Sequence, residues 1–375
     1  MIPFINAKRF LYKSLRQPSY AFGVLSKRAE AYLRYLAGSG RSSYPESVTL
    51  FLTHRCDLRC RMCGQKHRAD APELSLDNLK AIVDDISSFR PNITLFGGEP
   101  MLHEGCMGLI KYIKGKGMHC LIITNGMLVE GNAKDIIASG LDELNVSIDG
   151  DAGIHDMIRG LPGAFNKIMA GLKKIHSLKN AANSARPLVN LQCTVSRYNY
   201  KNLESLLGVA LEASADSLTF HNLIFLDRET LETQKECDAV LGCSSDDWEG
   251  FAFEPGIDPQ FLHEKMEKIL SGKYPFTVDF YPNFPRHALI GYYAGQKAGS
   301  AGPSRKACLS PWIAAYIFPD GAVKPCLNLS YSFGNVLRER FTGLWNNDKA
   351  VRFRSFLKKK RAFPACCRCT ELYRY

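Results

Sequence analysis

The chain has 375 residues, of which 46 % are apolar and 23 % are charged. The apolar residues are enough for a full hydrophobic core, and the chain length suggests one large domain with a smaller one appended. The 30 glycines and 18 prolines are scattered and aromatic residues are frequent, which excludes intrinsic disorder and a collagen-like repeat. Since the sequence has no run of about 18 apolar residues, we expect a cytoplasmic protein without membrane spans.

The formal net charge is +11, and the 13 cysteines are clustered rather than evenly spread. A positive charge is weak evidence for nucleic acid, an anionic membrane surface or an acidic substrate. Clustered cysteines in a reducing compartment indicate metal binding or catalysis rather than disulfides. Ligating cysteines are thiolates, so bound iron-sulfur clusters would offset part of the positive charge.

Residues 1–46 form a basic segment with a helical pattern. They contain eight Lys and Arg residues against two Glu, with aromatic and aliphatic residues between them. One interpretation is a set of helices that pack across the body of the protein. The other is a helix that lies on an anionic membrane or binds an acidic partner.

From residue 47 the sequence alternates between strands and helices. Val48, Leu50 and Leu52 have the period of a strand, Ser75 is a candidate helix N-cap, and 93–96 is a second strand. Further strands are predicted near 120–124, 143–148, 188–195 and 216–222, with helices near 131–139, 164–178 and 201–213. We therefore predict an α/β fold in which residues 47–222 form a partial (β/α)6 barrel of the TIM type.

The remainder of the chain divides into two parts. Residues 223–305 mix acidic and aromatic residues with Gly and Pro, and we interpret them as a variable segment that faces the substrate. Residues 306–375 form a compact tail, in which the sequence around Pro319–Gly321 predicts a hairpin. The tail holds five cysteines, so we expect a small C-terminal domain stabilised by metal.

Cys56, Cys60 and Cys63 follow the first strand with the spacing C-x3-C-x2-C. In barrel enzymes such a loop lies at the active-site face. Three thiolates bind three of the four irons of a cubane and leave one iron open, whereas a structural zinc site would need a fourth ligand. The spacing therefore favours a [4Fe-4S] cluster with an open position.

The segment that contains Thr53, Leu58, Met62 and these cysteines resembles the signature of the radical S-adenosylmethionine (radical SAM) enzymes. The resemblance implies that S-adenosyl-L-methionine binds the open iron. It also implies reductive cleavage of this cofactor to a 5′-deoxyadenosyl radical, with an electron donor such as flavodoxin or ferredoxin as partner.

Later barrel motifs extend the resemblance, since each follows a predicted strand. The family positions that contact the cofactor correspond to Gly97, Gly98, Glu99, Pro100, Thr124, Asn125, Ser147, Asp149 and Arg159. The resemblance implies that the glutamate accepts from the methionine ammonium group and that the arginine meets the cofactor carboxylate. Turn capping is the alternative for Thr124, Asn125 and Asp149.

The tail resembles the SPASM or twitch extension of radical SAM enzymes. Its implied ligands are Cys308, Cys326, Cys366 and Cys369, which fit one auxiliary [4Fe-4S] cluster. Zinc bound by four cysteines is the alternative. Cys367 competes with Cys366 as a ligand, although the C-x2-C spacing favours Cys366.

We therefore expect a radical SAM enzyme that abstracts hydrogen from a peptide or a small-molecule substrate. The acid or base that acts in catalysis is not identified, and the basic N-terminus suggests peripheral membrane contact. The alternative is a non-catalytic iron-sulfur or zinc scaffold that binds nucleic acid through its basic surface. The open-site cysteine triad speaks against that alternative, so nucleic acid is not an expected partner.

Overall fold

The computed structural model describes residues 18–65, 70–294 and 307–374, so the first part of the basic N-terminal segment lies outside the described residues. Helix α1 spans Pro18–Ala37. Its inner face is attached to the body, since Arg28 forms an ion pair with the buried Glu46 at 2.5 Å. Lys27 Nζ donates to the carbonyl of Phe89 at 2.6 Å. The described helix thus packs across the body of the protein.

Six parallel strands form the predicted barrel sheet. The six strands pair in chain order. They are β1 (Ser47–Phe51), β2 (Asn92–Phe96), β3 (Cys120–Thr124), β4 (Glu143–Ser147), β5 (Leu188–Thr194) and β6 (Ser217–His221). The predicted α/β partial barrel is confirmed, and the carboxyl ends of its strands meet at one edge.

Helices connect these strands. They are α2 (Leu76–Ile86), α3 (Cys106–Gly115), α4 (Val129–Ala138), α5 (Ala152–Arg159), α6 (Ala164–Ala181) and α7 (Ser205–Glu212). Ser75 caps α2 as expected, in a reciprocal capping box with Asn78. Helices α3 and α5 were not predicted, because each is short and flanked by glycines, which weakens the periodic signal.

The segment after β6 is more regular than its composition suggests. It contains α8 (Arg228–Leu241), a 3-10 turn (Asp246–Phe251), α9 (Pro259–Ser271), β7 (Thr277–Tyr281) and α10 (Arg286–Tyr293). Strand β7 pairs in parallel with β6 and extends the sheet to a seventh barrel strand. The sequence did not predict it, because an aspartate interrupts its five residues and prolines flank it on both sides.

The tail joins the barrel sheet instead of forming a detached unit. Its elements are α11 (Ser310–Ile313), β8 (Ala314–Ile317), β9 (Ala322–Lys324), β10 (Gly334–Asn335), α12 (Phe341–Leu344), α13 (Asp348–Lys360) and two 3-10 turns (Pro364–Arg368 and Thr370–Tyr373). The predicted hairpin is present, as β8 and β9 are antiparallel. Strand β8 also pairs in parallel with β1, so the tail lies beside the first barrel strand.

One continuous hydrophobic core links barrel and tail, from Val48 on β1 to Trp345 after α12. Arg354 of α13 is fully buried, and its guanidinium lies 4.1 Å from the ring centre of Trp345. Across the described parts of the chain, we find no helix whose length and apolar character would allow it to cross a membrane.

Candidate active site at the carboxyl end of the sheet

The three clustered cysteines lie on the loop after β1. Cys56 and Cys60 are half-buried, and Cys63 is exposed. The N–H of Cys63 donates to the carbonyl of Cys60 at 3.1 Å, which closes a tight turn between them. Burial raises the pKa of the Cys56 and Cys60 thiols, and a neighbouring cysteine raises each of them further. The loop thus brings the three thiols into one neighbourhood.

Gly97 and Gly98 connect the end of β2 to the cysteine loop. The N–H of Gly98 donates to the carbonyl of Thr53, and the N–H of Glu99 donates to that of Arg55, both at 2.8 Å. A Cβ on Gly98 would lie 2.1 Å from the Arg55 oxygen, and one on Gly97 would lie 2.6 Å from the Thr53 oxygen. Only glycines permit this approach of two backbones. The two glycines thus allow the backbone of the cysteine loop to lie directly against the end of β2.

Glu99 is completely buried at the centre of this edge. Its carboxylate accepts from the Thr124 hydroxyl at 2.9 Å, from the Asn125 N–H at 2.8 Å and from the Met101 N–H at 3.1 Å. Burial raises its pKa to about 7, although these hydrogen bonds oppose the rise. Pro100 follows as the buried first residue of a 3-10 turn. The carboxylate is therefore a hub between the ends of β2 and β3.

Asn125 extends this hub to the cysteines. Its side-chain amide donates to Asp57 Oδ1 at 2.6 Å and lies 3.9 Å from Cys56 Sγ. Asp57 was not among the predicted site residues, because an acidic residue between two cysteines carries no sequence signal of its own. Gly126 adopts a φ of +87°, and its N–H donates to Thr124 Oγ1. Thr124 therefore caps the turn, as the alternative interpretation states, and its hydroxyl also donates to Glu99.

Asp149 and Arg159 form a second polar group beside the loop. Arg159 Nε donates to Asp149 Oδ2 at 2.6 Å, and Arg159 Nη1 lies 3.7 Å from Cys60 Sγ. Both side chains are buried. Ser147 is half-buried at the end of β4, two residues before Asp149. The ends of β2, β3 and β4 and the last residue of α5 thus supply polar groups beside the cysteine loop.

Four further residues, absent from the predicted site set, support the loop and the strand ends beside it. The Thr53 hydroxyl donates to Glu73, and Arg55 forms an ion pair with the same carboxylate at 2.8 Å. Asn199 is buried, and its amide donates to the carbonyls of Asp149 and Thr194, each at 2.9 Å. Their hydrogen bonds and ion pair fix the start of the cysteine loop and the backbone that follows β4 and β5.

The tail gathers its own cysteines. Burial raises the pKa of the Cys326 and Cys366 thiols to about 12, and it raises that of Cys308 well above its usual value. After burial, the charges of Cys366 and Cys369 contribute most to the rise at Cys308. A buried thiolate without a counter-charge is energetically unfavourable. These tail thiols would therefore lose their protons when they bind a metal.

Cys367 differs from Cys366 in the charged groups around it. Packing does not separate it from the predicted ligands, since both Cys367 and Cys369 pack against a small apolar cluster that contains Trp248. After burial, the pKa of Cys367 responds chiefly to the neighbouring Arg368 and to Asp227, rather than to Cys308 or Cys326. This arrangement supports Cys366 over Cys367 as the tail ligand, in line with the spacing.

The 3-10 turn Asp246–Phe251 bridges the two cysteine groups. Its Gly250 has so little space beside Gly64 that a Cβ there would collide with the Gly64 carbonyl. Phe251 lies against Gly64 as well, and it also belongs to the apolar cluster that contacts Cys369. The segment predicted to face the substrate therefore lies between the cysteine loop and the tail.

A comparison with protein families decides the identity of this arrangement. The model of the radical SAM superfamily matches residues 50–187, which include the cysteine loop and the ends of β2 to β4. The chain belongs to the radical SAM superfamily. The SPASM model, an iron-sulfur cluster-binding domain, matches residues 308–370 of this radical SAM protein. Its cofactors are thus S-adenosylmethionine, a catalytic [4Fe-4S] cluster and auxiliary iron-sulfur.

This radical SAM enzyme has relatives of similar length. It is 27 % identical to Fe-coproporphyrin III synthase of Methanosarcina barkeri, over 96 % of this chain and 89 % of that protein. It is 28 % identical to AdoMet-dependent heme synthase of Oleidesulfovibrio alaskensis, over 85 % and 78 %. Streptococcus suis SuiB, bound to its precursor peptide SuiA, shares the fold with a TM-score of 0.61 at 13 % identity, over 88 % and 71 %.

The cysteines of this chain fit iron-sulfur clusters. Thiols are the donors that iron-sulfur clusters take, and the 13 cysteines, all of which are described, are free. Among the described residues no three His, Cys, Asp or Glu side chains converge as a single metal ion requires. A cluster does not need such convergence, since each thiolate binds a different iron. Cys56, Cys60 and Cys63 would hold the catalytic cluster, and the tail cysteines the auxiliary one.

Proposed function

We propose that this radical SAM enzyme acts on an anionic small molecule of the tetrapyrrole class. When bound, the cluster and S-adenosylmethionine supply a 5′-deoxyadenosyl radical, which takes a hydrogen atom from the substrate and becomes 5′-deoxyadenosine. The two relatives named above support the substrate class, since both are similar to this chain over most of their length. A peptide is the other class, and the fold it shares with SuiB is compatible with one.

The observation that supports an anionic substrate is that three exposed arginines lie on loops next to the site. Arg59 and Arg61 lie on the cysteine loop, and Arg197 lies on the loop after β5. Arg59 also donates to backbone carbonyls of its own loop, and Arg197 donates to the carbonyl of Glu254. The guanidinium of Arg61 lies 5.7 Å from the ring centre of Tyr198, which brings these two loops together. Arginine pairs with carboxylates in a bidentate geometry, so these arginines suit a substrate with several carboxylates.

Iron coproporphyrin III is the probe that tests this proposal. We expect it to stimulate 5′-deoxyadenosine formation by the reconstituted enzyme and to yield a porphyrin of altered mass in chromatography with mass spectrometry. The double variant Arg61→Gln/Arg197→Gln should raise KM for this probe about tenfold, because each lost charged contact weakens binding. Arg338→Gln, at an exposed arginine in the tail, is the matched control.

Two results would contradict the substrate class. One is 5′-deoxyadenosine formation that neither iron coproporphyrin III nor another carboxylated tetrapyrrole stimulates, although the enzyme cleaves its cofactor. The other is an equal KM for the double variant and for Arg338→Gln. A peptide that stimulates the reaction instead would assign the enzyme to the other class.

The exposure of Cys63 supports reduction by a separate donor protein such as flavodoxin or ferredoxin.

The N-terminal helix supports peripheral contact with an anionic membrane. Leu25, Tyr32, Leu33 and Leu36 share one face of α1 and are all exposed. The sequence that precedes this helix is basic, with four Lys and Arg and no acidic residue among its 17 residues. An apolar stripe next to basic residues is the composition of helices that bind anionic lipid surfaces.

We expect the enzyme to sediment with vesicles that contain phosphatidylglycerol, and less with pure phosphatidylcholine vesicles. Leu33→Ser/Leu36→Ser should reduce the bound fraction about tenfold, since these leucines are 65 % and 56 % exposed in the protein and would enter the lipid. The control is Leu211→Ser/Leu337→Ser, at leucines that are 54 % and 56 % exposed elsewhere. Equal loss in both double variants, or no binding by the parent enzyme, would refute membrane contact.

A further inference from the structure

Arg159 has a fixed position relative to the cysteine loop. It is the last residue of α5, which ends at Gly160 with a φ of +74°. A Cβ on Gly160 would lie 2.9 Å from the carbonyl oxygen of Arg59. The N–H of Arg61 donates to the carbonyl of Ile158 at 2.9 Å. The end of this helix is therefore attached directly to the loop that carries the three cysteines.

Asp149 fixes the orientation of the Arg159 guanidinium. One oxygen of this fully buried carboxylate accepts from Arg159 Nε at 2.6 Å. The other oxygen accepts from the Thr194 N–H at 3.0 Å, and the Asn199 amide donates to the Asp149 carbonyl at 2.9 Å. Because both oxygens are occupied, the carboxylate cannot turn. Arg159 Nη1 then lies 3.7 Å from Cys60 Sγ, within the hydrogen-bonding range of sulfur.

The two half-buried cysteines of the loop thus receive different donors. Cys56 lies 3.9 Å from the neutral amide of Asn125, whereas Cys60 lies beside a buried guanidinium. Reduction adds one negative charge to an iron-sulfur cluster and its thiolates. Hydrogen bonds and positive charge at the sulfur stabilise the reduced form, and they do so most where water is excluded.

We propose that Arg159, oriented by Asp149, raises the reduction potential of the catalytic cluster through Cys60 and so makes the cluster easier to reduce. Arg159 is a positioning residue, because its effect reaches the cluster through its contact with the ligand Cys60. The proposal requires Cys60 to bind the catalytic cluster. It does not depend on the identity of the substrate, because it concerns the enzyme before substrate binds.

The test is a redox titration of the reconstituted holoenzyme, followed by electron paramagnetic resonance. Arg159→Gln should reduce the ratio of reduced to oxidised catalytic cluster about tenfold at a fixed potential, which is 59 mV for a one-electron couple. Arg159→Lys keeps the charge but loses the planar fork, so its shift should be smaller. The potential of the auxiliary cluster should not change in either variant, which makes it an internal reference.

Arg61→Gln is the matched control. It removes the same formal charge from the cysteine loop, but its guanidinium lies over the ring of Tyr198. An unchanged potential in Arg159→Gln overturns the proposal, as does an equal shift in Arg61→Gln. If both Arg159 variants lose the catalytic cluster and keep the auxiliary one, Arg159 serves assembly of the cluster, and the tuning role is wrong.

Discussion

Replacing Cys56, Cys60 and Cys63 together with alanine is expected to abolish formation of 5′-deoxyadenosine while leaving iron in the tail. The physical reason is that these three thiols lie on one loop beside the hub formed by Glu99 and Asn125. The tail cysteines lie on other elements, where Cys308 is buried and the others are half-buried. Parent enzyme reconstituted under anaerobic conditions should hold about eight irons, and the triple variant about four.

The matched control for the triple variant is Cys106→Ala/Cys120→Ala/Cys193→Ala. These three cysteines are buried core residues outside the cysteine loop, so their replacement removes the same number of thiols and keeps the three loop cysteines. It should retain about eight irons and cofactor cleavage. Undiminished 5′-deoxyadenosine from the triple loop variant would show that the catalytic cluster is held elsewhere. Zinc without iron in that variant would show that the tail holds no auxiliary cluster.

The second large effect is expected in the tail. Cys366→Ala should lose the auxiliary cluster, which lowers the iron content by about four, whereas Cys367→Ala should retain it. The reason is that the charge of Cys366 raises the pKa of the Cys308 thiol, and the charge of Cys326 raises that of Cys366. The charges that act most on Cys367 are those of Arg368 and Asp227. The two residues are neighbours, so each variant is the control for the other.

Iron content and the absorption of the protein near the iron-sulfur bands measure this effect. The tail should also lose thermal stability in Cys366→Ala, because the cluster links the hairpin to a segment about forty residues further along the chain. The reverse pattern, with the cluster lost in Cys367→Ala and kept in Cys366→Ala, would move the ligand by one residue. An auxiliary cluster that survives in both variants would exclude both cysteines.

Much of the fold could be predicted from the sequence, because its periods are strong. Val48, Leu50 and Leu52 alternate as a strand does, and Ser75 caps the helix that follows. The pairing of β8 with β1 could not be predicted, since nothing in a short hairpin records which distant strand accepts it. Strand β7 was missed for a related reason, because five residues with a central aspartate resemble a loop.

The site could be predicted to the level of its motifs but not of its contacts. The cysteine spacing and the residues Gly97 to Glu99 indicated strand ends that the structure brings together. The sequence could not show that Glu99 is bound within the protein by Thr124 and Asn125, since these contacts depend on the register of neighbouring strands. Arg159 and Cys60 are 99 residues apart in the sequence, and their contact depends on the packing of α5 against the cysteine loop.

The roles of these side chains toward S-adenosylmethionine stay predictions. Glu99 and Arg159 were both expected to contact the cofactor, and both have partners within the protein. Binding of the methionine ammonium group by Glu99 would stabilise the charged carboxylate, whose pKa burial raises to about 7. The structure thus gives the two residues a second task, which is to hold the strand ends and the cysteine loop in register.

Radical SAM activity itself is measured by chromatography for 5′-deoxyadenosine after anaerobic incubation of the reconstituted enzyme with S-adenosylmethionine and dithionite. We expect 5′-deoxyadenosine and methionine to form in equal amounts, and to depend on both the iron and the reductant. Fully reconstituted enzyme that binds S-adenosylmethionine and is reduced, but forms neither product, would contradict the assignment of this chain as a radical SAM enzyme.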